Sequence, residues 1–180
     1  METQMKCVDT VISSGHATYK LNFIAQGTNF YERVGTTVRI HRVTYTIYAT
    51  TGSSTVSDYI RVALIYDKFG YTNGLGPSAP YRPFVMIDYD GTIDTTSAFN
   101  LPTMENPDRY TYLCVDRVPV STNPPCVLNR DIAVDLVTQY TRTDPYLGNI
   151  TSGTLYLDMT TNSSSSSIVS GVCRIYYTDV

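Results

Sequence analysis

Apolar and polar residues alternate along this chain with a period of two, most clearly in IRVALIYDK, residues 60–68. An extended backbone sends successive side chains to opposite faces, so Ile60, Val62, Leu64 and Tyr66 share one side and Arg61, Ala63, Ile65 and Asp67 the other. RDIAVDLVTQY repeats the pattern with Ile132, Val134, Leu136 and Tyr140 on a common side, and in TLYLDMT Leu155, Leu157 and Met159 oppose Tyr156 and Asp158. IVSGVCRIYYTDV closes the chain in the same manner, with Gly171 read as a bulge. No stretch sustains a 3.6-residue apolar period, and Thr, Val and Tyr are abundant, so the chain reads as sheet throughout.

Turn chemistry separates the alternating runs: TTGSST at 50–55, NGLGPSAPYRP at 73–83, STNPP at 121–125 and NSSSSS at 162–167. These breaks predict eight main strands, over 4–12, 37–50, 58–68, 84–89, 109–120, 130–141, 153–161 and 168–179. Eight strands joined by connections of unequal length fit an all-β fold, a single jelly-roll sandwich of two antiparallel four-stranded sheets over residues 1–180. No internal repeat interrupts it, and the serine run is too short to link domains.

Composition narrows the function. A chain of 180 residues with 42% apolar and 16% charged side chains is globular, long enough for one domain that buries roughly 70% of its unfolded surface. No run approaches the eighteen apolar residues of a membrane span. The opening METQMKCVDT lacks the basic start and apolar middle of a secretion signal, which points to cytosolic or nuclear residence. Thirteen basic against sixteen acidic residues leave a net charge of −3, which argues against strong nucleic-acid binding by the chain as a whole. Cys7, Cys114, Cys126 and Cys173 are too scattered for a zinc site and read as buried free thiols.

The stretch QGTNFYERVGTTVRIHRVTYTIYAT, residues 26–50, raises a sharper question, because its glycines suggest a phosphate loop. Gly27 and Gly35 bracket NFYERV without the Gly-Lys-Ser/Thr ending of a nucleotide cradle, and a β-branched strand follows where a helix would be needed. They read instead as hinges leading a long loop into that strand. QGTNFYERVGTTVRIHRV, followed by IRVALIYDK, resembles the capsid proteins of circular, Rep-encoding single-stranded DNA viruses, the broad CRESS-DNA group that includes circovirus-like and geminivirus-like agents. METQMKCVDT is similar to the opening of that shell domain through Glu2, Lys6 and Asp9. The resemblance covers roughly the first 70 residues by motif and the rest only by strand count and spacing.

The resemblance implies a shell subunit, about sixty copies of which close an icosahedral particle around a circular single-stranded DNA genome. It places the protein in the virion, with assembly in the host nucleus or cytoplasm. Members of the group usually carry an arginine-rich arm ahead of the shell domain; the 180 residues contain none, so either the arm has been removed or omitted from this chain or the shell relies on its inner wall, and single-stranded DNA on the inner surface is expected to be held weakly without it. The nature of the host and of any receptor is left open.

On the residues themselves, Lys20, Arg39, His41 and Arg42 are candidate phosphate contacts, with Phe30 or Tyr31 placed to stack a base. Simple alternation sends Arg39 and His41 to one side of their strand and Arg42 to the other. The competing reading makes them surface charges paired with carboxylates. Arg33, between Gly27 and Gly35, suits a brace that holds the loop through backbone carbonyls or a carboxylate. Four stretches, 13–36, 69–83, 121–129 and 162–167, are expected to cluster at one end of the sandwich, near a fivefold axis.

No metal site, cofactor or catalytic centre is predicted. DYDGTID, residues 88–94, lacks the glycine and glutamate positions of a calcium loop and reads as a turn. Asn149 and Asn162 match the glycosylation pattern, which matters only outside the cytoplasm. His16 and His41 have no motif-level partner, and no nucleophile elbow or metalloprotease helix occurs. The alternative to a shell protein is a free-standing β-sandwich that binds a glycan or a protein through tyrosine-bearing loops, since the chain holds sixteen tyrosines and no tryptophan.

Overall fold

The computed structural model describes residues 2–12, 16–28, 32–51, 58–69, 84–87, 93–94, 101–102, 108–121, 124–141, 150–161 and 167–180. The strands run β1 (Glu2–Ile12), β2 (His16–Lys20), β3 (Thr37–Thr51), β4 (Asp58–Phe69), β5 (Phe84–Ile87), β6 (Ile93–Asp94), β7 (Leu101–Pro102), β8 (Tyr110–Val120), β9 (Cys126–Tyr140), β10 (Ile150–Thr161) and β11 (Ser167–Asp179). All pairings between them are antiparallel, and no helix occurs among the described residues.

Hydrogen bonding orders the main strands β1-β11-β3-β9-β10-β4-β8, with β2 beside β10. The β9–β10 link is confined to Tyr140–Ile150 and Gln139–Ser152, with a register shift between them. The path therefore folds at that corner into two layers of four, β1-β11-β3-β9 (sheet 1) and β2-β10-β4-β8 (sheet 2). Side chains of both layers meet in one core: Val38, Ile40, Val43, Tyr45 and Ile47 of β3 and Val169, Cys173, Ile175 and Tyr177 of β11 pack with Ile60, Val62, Leu64, Leu155, Leu157 and Met159. Each such side chain contributes roughly 1.5–3 kcal/mol by leaving water. Successive strands of the sandwich alternate between the layers except β4 and β8, which pair with each other in sheet 2, and this order is the jelly roll.

At the fold corner Gly153 adopts φ 77°. A β-carbon there would also run into the Val137 carbonyl and the Tyr66 hydroxyl, so both backbone angle and space demand glycine. Gly171 departs from expectation. Its register with Val8 on one side and Ile47 on the other is unbroken, so it is not a bulge. A β-carbon would instead press on the backbone of Thr46 and Ile47, and glycine is what lets β11 approach β3.

Two further expectations are corrected. The stretch 84–89 supplies no strand of the sandwich: β5 pairs only with β6 and β7 in a small sheet of its own. The eighth place belongs to HATYK, β2, whose residues pair with Tyr156–Thr160 of β10. A run of five residues is too short to announce a strand by periodicity. Missing β2 also misplaces the joins. Strand directions put β1–β2, β3–β4, β8–β9 and β10–β11 at one end and β2–β3, β4–β8 and β9–β10 at the other. The β2–β3 segment, within 13–36, thus lies at the other end from the β8–β9 and β10–β11 joins, whereas residues 13–15, 70–83 and 162–166 of the four stretches expected to cluster lie outside the described residues.

Candidate functional site

The segment from Leu21 to Thr36, which joins β2 to β3, is stitched to the end of the sandwich by buried polar side chains. Asn22, fully buried, donates through Nδ2 to Thr138 Oγ1 (2.8 Å) and to Gly153 O (2.7 Å), and accepts through Oδ1 from Leu155 N (2.9 Å). Thr138 Oγ1 donates to the same Gly153 carbonyl (2.8 Å), and Tyr140 Oη donates to Asn22 O (2.7 Å). A single asparagine therefore gives Leu155 N its acceptor and Gly153 O a second donor beside Thr138.

Arg33 lies at 2% exposure over the Tyr140 ring, 4.1 Å from its centroid. Its Nε donates to Ile24 O (3.2 Å) and its Nη1 to Gly35 O. Burial pushes the guanidinium below its ordinary value, opposed by Tyr140 and Asp179. The loop is pinched behind it: Arg33 N donates to Ala25 O (2.9 Å) and Gly27 N to Arg33 O (3.0 Å). Val34 N donates to Asp179 Oδ2 (2.8 Å), which ties the loop to β11. A β-carbon at Gly27 would meet only the movable end of Glu32, and at Gly35 nothing nearer than 3.8 Å, so neither glycine is required by space. Phe30 and Tyr31 lie outside the described residues.

The outward face of sheet 1 holds the other candidates. At His41 the β3 register slips against both neighbours, passing from Ile40 to Arg42 opposite β9 and opposite β11. The extra residue lets Ile40 and Val43 both point into the core, so Arg39, His41 and Arg42 all face outward and simple alternation fails. Both arginines are claimed by β9. Arg39 forms a two-point bridge to Asp135 (Nε–Oδ1 2.5 Å, Nη2–Oδ2 2.6 Å), and Arg42 does the same with Asp131 (Nε–Oδ1 2.6 Å) while lying over Tyr176 at 5.4 Å. These hydrogen bonds hold the two carboxylates below, and the two guanidiniums above, their ordinary values. His41 Nε2 shares a 2.8 Å hydrogen bond with Thr178 Oγ1. Lys20 sits apart, on β2 of the other sheet, with its ammonium 5.3 Å from the Phe23 ring centre. The four residues are not brought together.

What sequence reasoning missed lies further along the same face. Between β3 and β11 runs an open groove of about 300 Å³ lined by Thr44, Thr46, Tyr48, Val172 and Arg174. Tyr48 is 48% exposed. Arg174 is an exposed cation that, unlike Arg39 and Arg42, has no carboxylate partner among the described residues.

Sheet 2 gathers its charges differently. Arg61 and Asp158 are both buried and bridge at 3.2 Å, and Arg61 also donates to Thr160 Oγ1 (2.8 Å). Asp67 accepts from Arg109 Nε (3.0 Å) and Nη2 (2.8 Å), and that contact raises the arginine above its ordinary value. Between the sheets, Asp116 of β8 accepts from Arg130 Nε of β9 (2.9 Å), Tyr45 Oη of β3 (3.3 Å) and Cys114 Sγ (3.2 Å). Burial, the largest single influence, would raise the Asp116 carboxyl; the hydrogen bonds from Arg130, Cys114 and Tyr45 and the Arg130 charge together outweigh it, so the group stays below its ordinary value. Cys114, Cys126 and Cys173 are free thiols, and burial pushes Cys173 up to about 12. Cys7 lies on β1 in register with Val172, its side chain outside the described residues. No cluster of three or more metal-ligating side chains occurs among the described residues, and residues 88–92, Asn149 and Asn162 lie outside them.

No protein-family model matches the chain, and no curated protein matches it in sequence. Among solved structures it is similar to that of infectious bursal disease virus, Gx strain, at 12% identity and a TM-score of 0.28, over 97% of this chain and 32% of that one. It is also similar to the VP2 subviral particle of infectious bursal disease virus, at 11% identity and a TM-score of 0.26, over 97% of this chain and 30% of that one. The chain spans about a third of the length of either. These values identify no family.

Proposed function

We propose that this chain is the shell subunit of a small icosahedral virus with a circular single-stranded DNA genome, its role architectural and not catalytic. The observation that carries the reading is where the two family-like stretches fall. QGTNFYERVGTTVRIHRV leads into β3 and IRVALIYDK forms β4, internal strands of the two sheets of an eight-stranded jelly roll. The loop that could have been a ligand cradle is occupied by its own arginine, which spends its donors on Ile24 and Gly35 carbonyls. Fold alone does not define function, and the resemblance in those residues is what favours a coat protein over other jelly rolls. Virions are then its destination, with assembly in the host nucleus or cytoplasm.

Light scattering and electron microscopy of the purified protein test the reading. About sixty copies of a 20.1 kDa chain make closed particles of about 1.2 MDa. Monomers or small oligomers under all assembly conditions would overturn it in favour of a free-standing module for a glycan or protein.

A further inference from the structure

We propose that the inward-pointing pair Asp116–Arg130 keeps the open side of the sandwich from pairing with strands of other copies of this chain. The pair would act so in a shell subunit and in a free-standing sandwich alike. β9 ends sheet 1 and β8 ends sheet 2, and the two lie on the same side of the sandwich, where the pair joins them. Among the described residues no strand takes the free edge of β8, and β9 meets β10 only at Gln139 and Tyr140. The run from Cys126 to Thr138 therefore presents roughly 40 Å of backbone at about 3.3 Å per residue, a template for a further strand.

What lies beneath that edge favours such an addition. The inner face of β9 reads Leu128, Arg130, Ile132, Val134, Leu136, one cation in an apolar row, and Ile132, Val134 and Leu136 are only half-buried. The inner face of β8 reads Cys114, Asp116, Val118, one carboxylate between half-buried neighbours. β8 has further guards in a skipped register at Leu113 and in Pro119, which has no N–H to offer. β9 has a single offset, opposite His41, and no proline, so its protection rests on Arg130. Arg130 leaves the inner face opposite Tyr45, reaches Asp116 through Nε (2.9 Å) and Nη2, and keeps 41% of its side chain in water. An added strand would strip that water and supply no new partner, so the charge opposes pairing where an apolar residue would invite it.

Self-association of the full chain, followed by light scattering, thioflavin T fluorescence and electron microscopy, tests this, with circular dichroism confirming that each variant is folded. Asp116→Val with Arg130→Val is expected to hold or raise the melting temperature, since an apolar pair suits the half-buried site. The same variant should form open-ended, thioflavin-positive assemblies at a concentration about tenfold or more below that of the parent. Asp116→Asn with Arg130→Gln, which keeps shape and hydrogen bonding without charge, should shift the same way by a smaller factor, and it decides the matter if the valine pair does not fold. The exchange Asp116→Arg with Arg130→Asp restores two inward charges and should behave as the parent, as should the valine pair with Ile132→Lys added. A folded neutral pair that associates no more readily than the parent would overturn the proposal, as would open-ended growth by the parent itself or growth of the exchanged pair equal to that of the valine pair. Closed particles have one fixed mass whereas edge pairing grows without limit, so failure of the parent to form shells overturns the shell reading alone.

Discussion

The two sheets share a core but treat their second faces in opposite ways. On sheet 1 the outward residues of β3 and β9 are open to water, and the burial along β9 alternates almost residue by residue. At the centre of sheet 2 both faces are buried: Arg61, Ala63, Ile65 and Asp67 of β4 are all at 1% exposure or less, and β10 is buried without a break from Gly153 to Thr161, while the flanking strand β8 stays half-buried. The same period-two sequence pattern therefore serves a half-wet sheet and one whose central strands are covered on both faces. Charge location sets them apart energetically. An ion pair in water exchanges one set of good contacts for another, whereas a buried one stands or falls as a unit, because a lone charge left behind has no water to solvate it.

That contrast is broken most severely at Arg61. Arg61→Ala strands Asp158 inside sheet 2 and is expected to cost about 3–5 kcal/mol, read as a drop in the chemical-denaturation midpoint. If the loss were below 1 kcal/mol, sheet 2 would not be closed to water. At the corner joining the sheets, Asn22→Ala leaves Leu155 N without its acceptor and Gly153 O with Thr138 in place of two donors, and should cost about 1–3 kcal/mol by the same measurement. A comparable loss, about 1–3 kcal/mol, is expected of Gly171→Ala, because the added methyl has backbone and not a flexible side chain in its way.

The Asp116 clasp between the sheets adds a pH dependence. Its folded carboxyl lies below the unfolded value near 3.9, so the stabilisation is complete above that value and is lost as pH falls through the folded one. Melting temperatures of the parent and of Asp116→Asn should differ at pH 7 and converge in acid below about pH 4. A gap that stays constant down to pH 2 would refute the clasp. The smallest effect belongs to sheet 1: Asp131→Asn and Asp135→Asn, at exposed two-point bridges, should leave the melting temperature nearly unchanged at physiological salt. A large loss there would erase the distinction between the sheets.

The candidate site was legible in its parts and not in its arrangement. Arg39, His41 and Arg42 stand out in sequence, but the extra residue at His41, which turns all three outward, depends on registers with strands β9 and β11 that lie far along the chain. Asp131 and Asp135 carried no mark as their partners, since the pairs span 89 and 96 residues. Arg174 carries no mark in sequence, because the lack of a carboxylate partner among the described residues is a property of its surroundings. Asn22 looked like any polar residue between strands, and only the glycine corner at 153 gives its amide a purpose.

Local alternation was enough to determine the strands β1, β3, β4, β8, β9, β10 and β11, because a period of two is a property of consecutive residues and survives any choice of neighbour. It also determined which side chains of β4, β9 and β10 enter the core. Tertiary structure decided the rest: that β2 and not β5 completes the sandwich, that the central strands β4 and β10 of sheet 2 are covered on both faces, and which cations are neutralised. Those outcomes depend on pairing and burial between distant segments, whose cost and gain appear only when the two layers close.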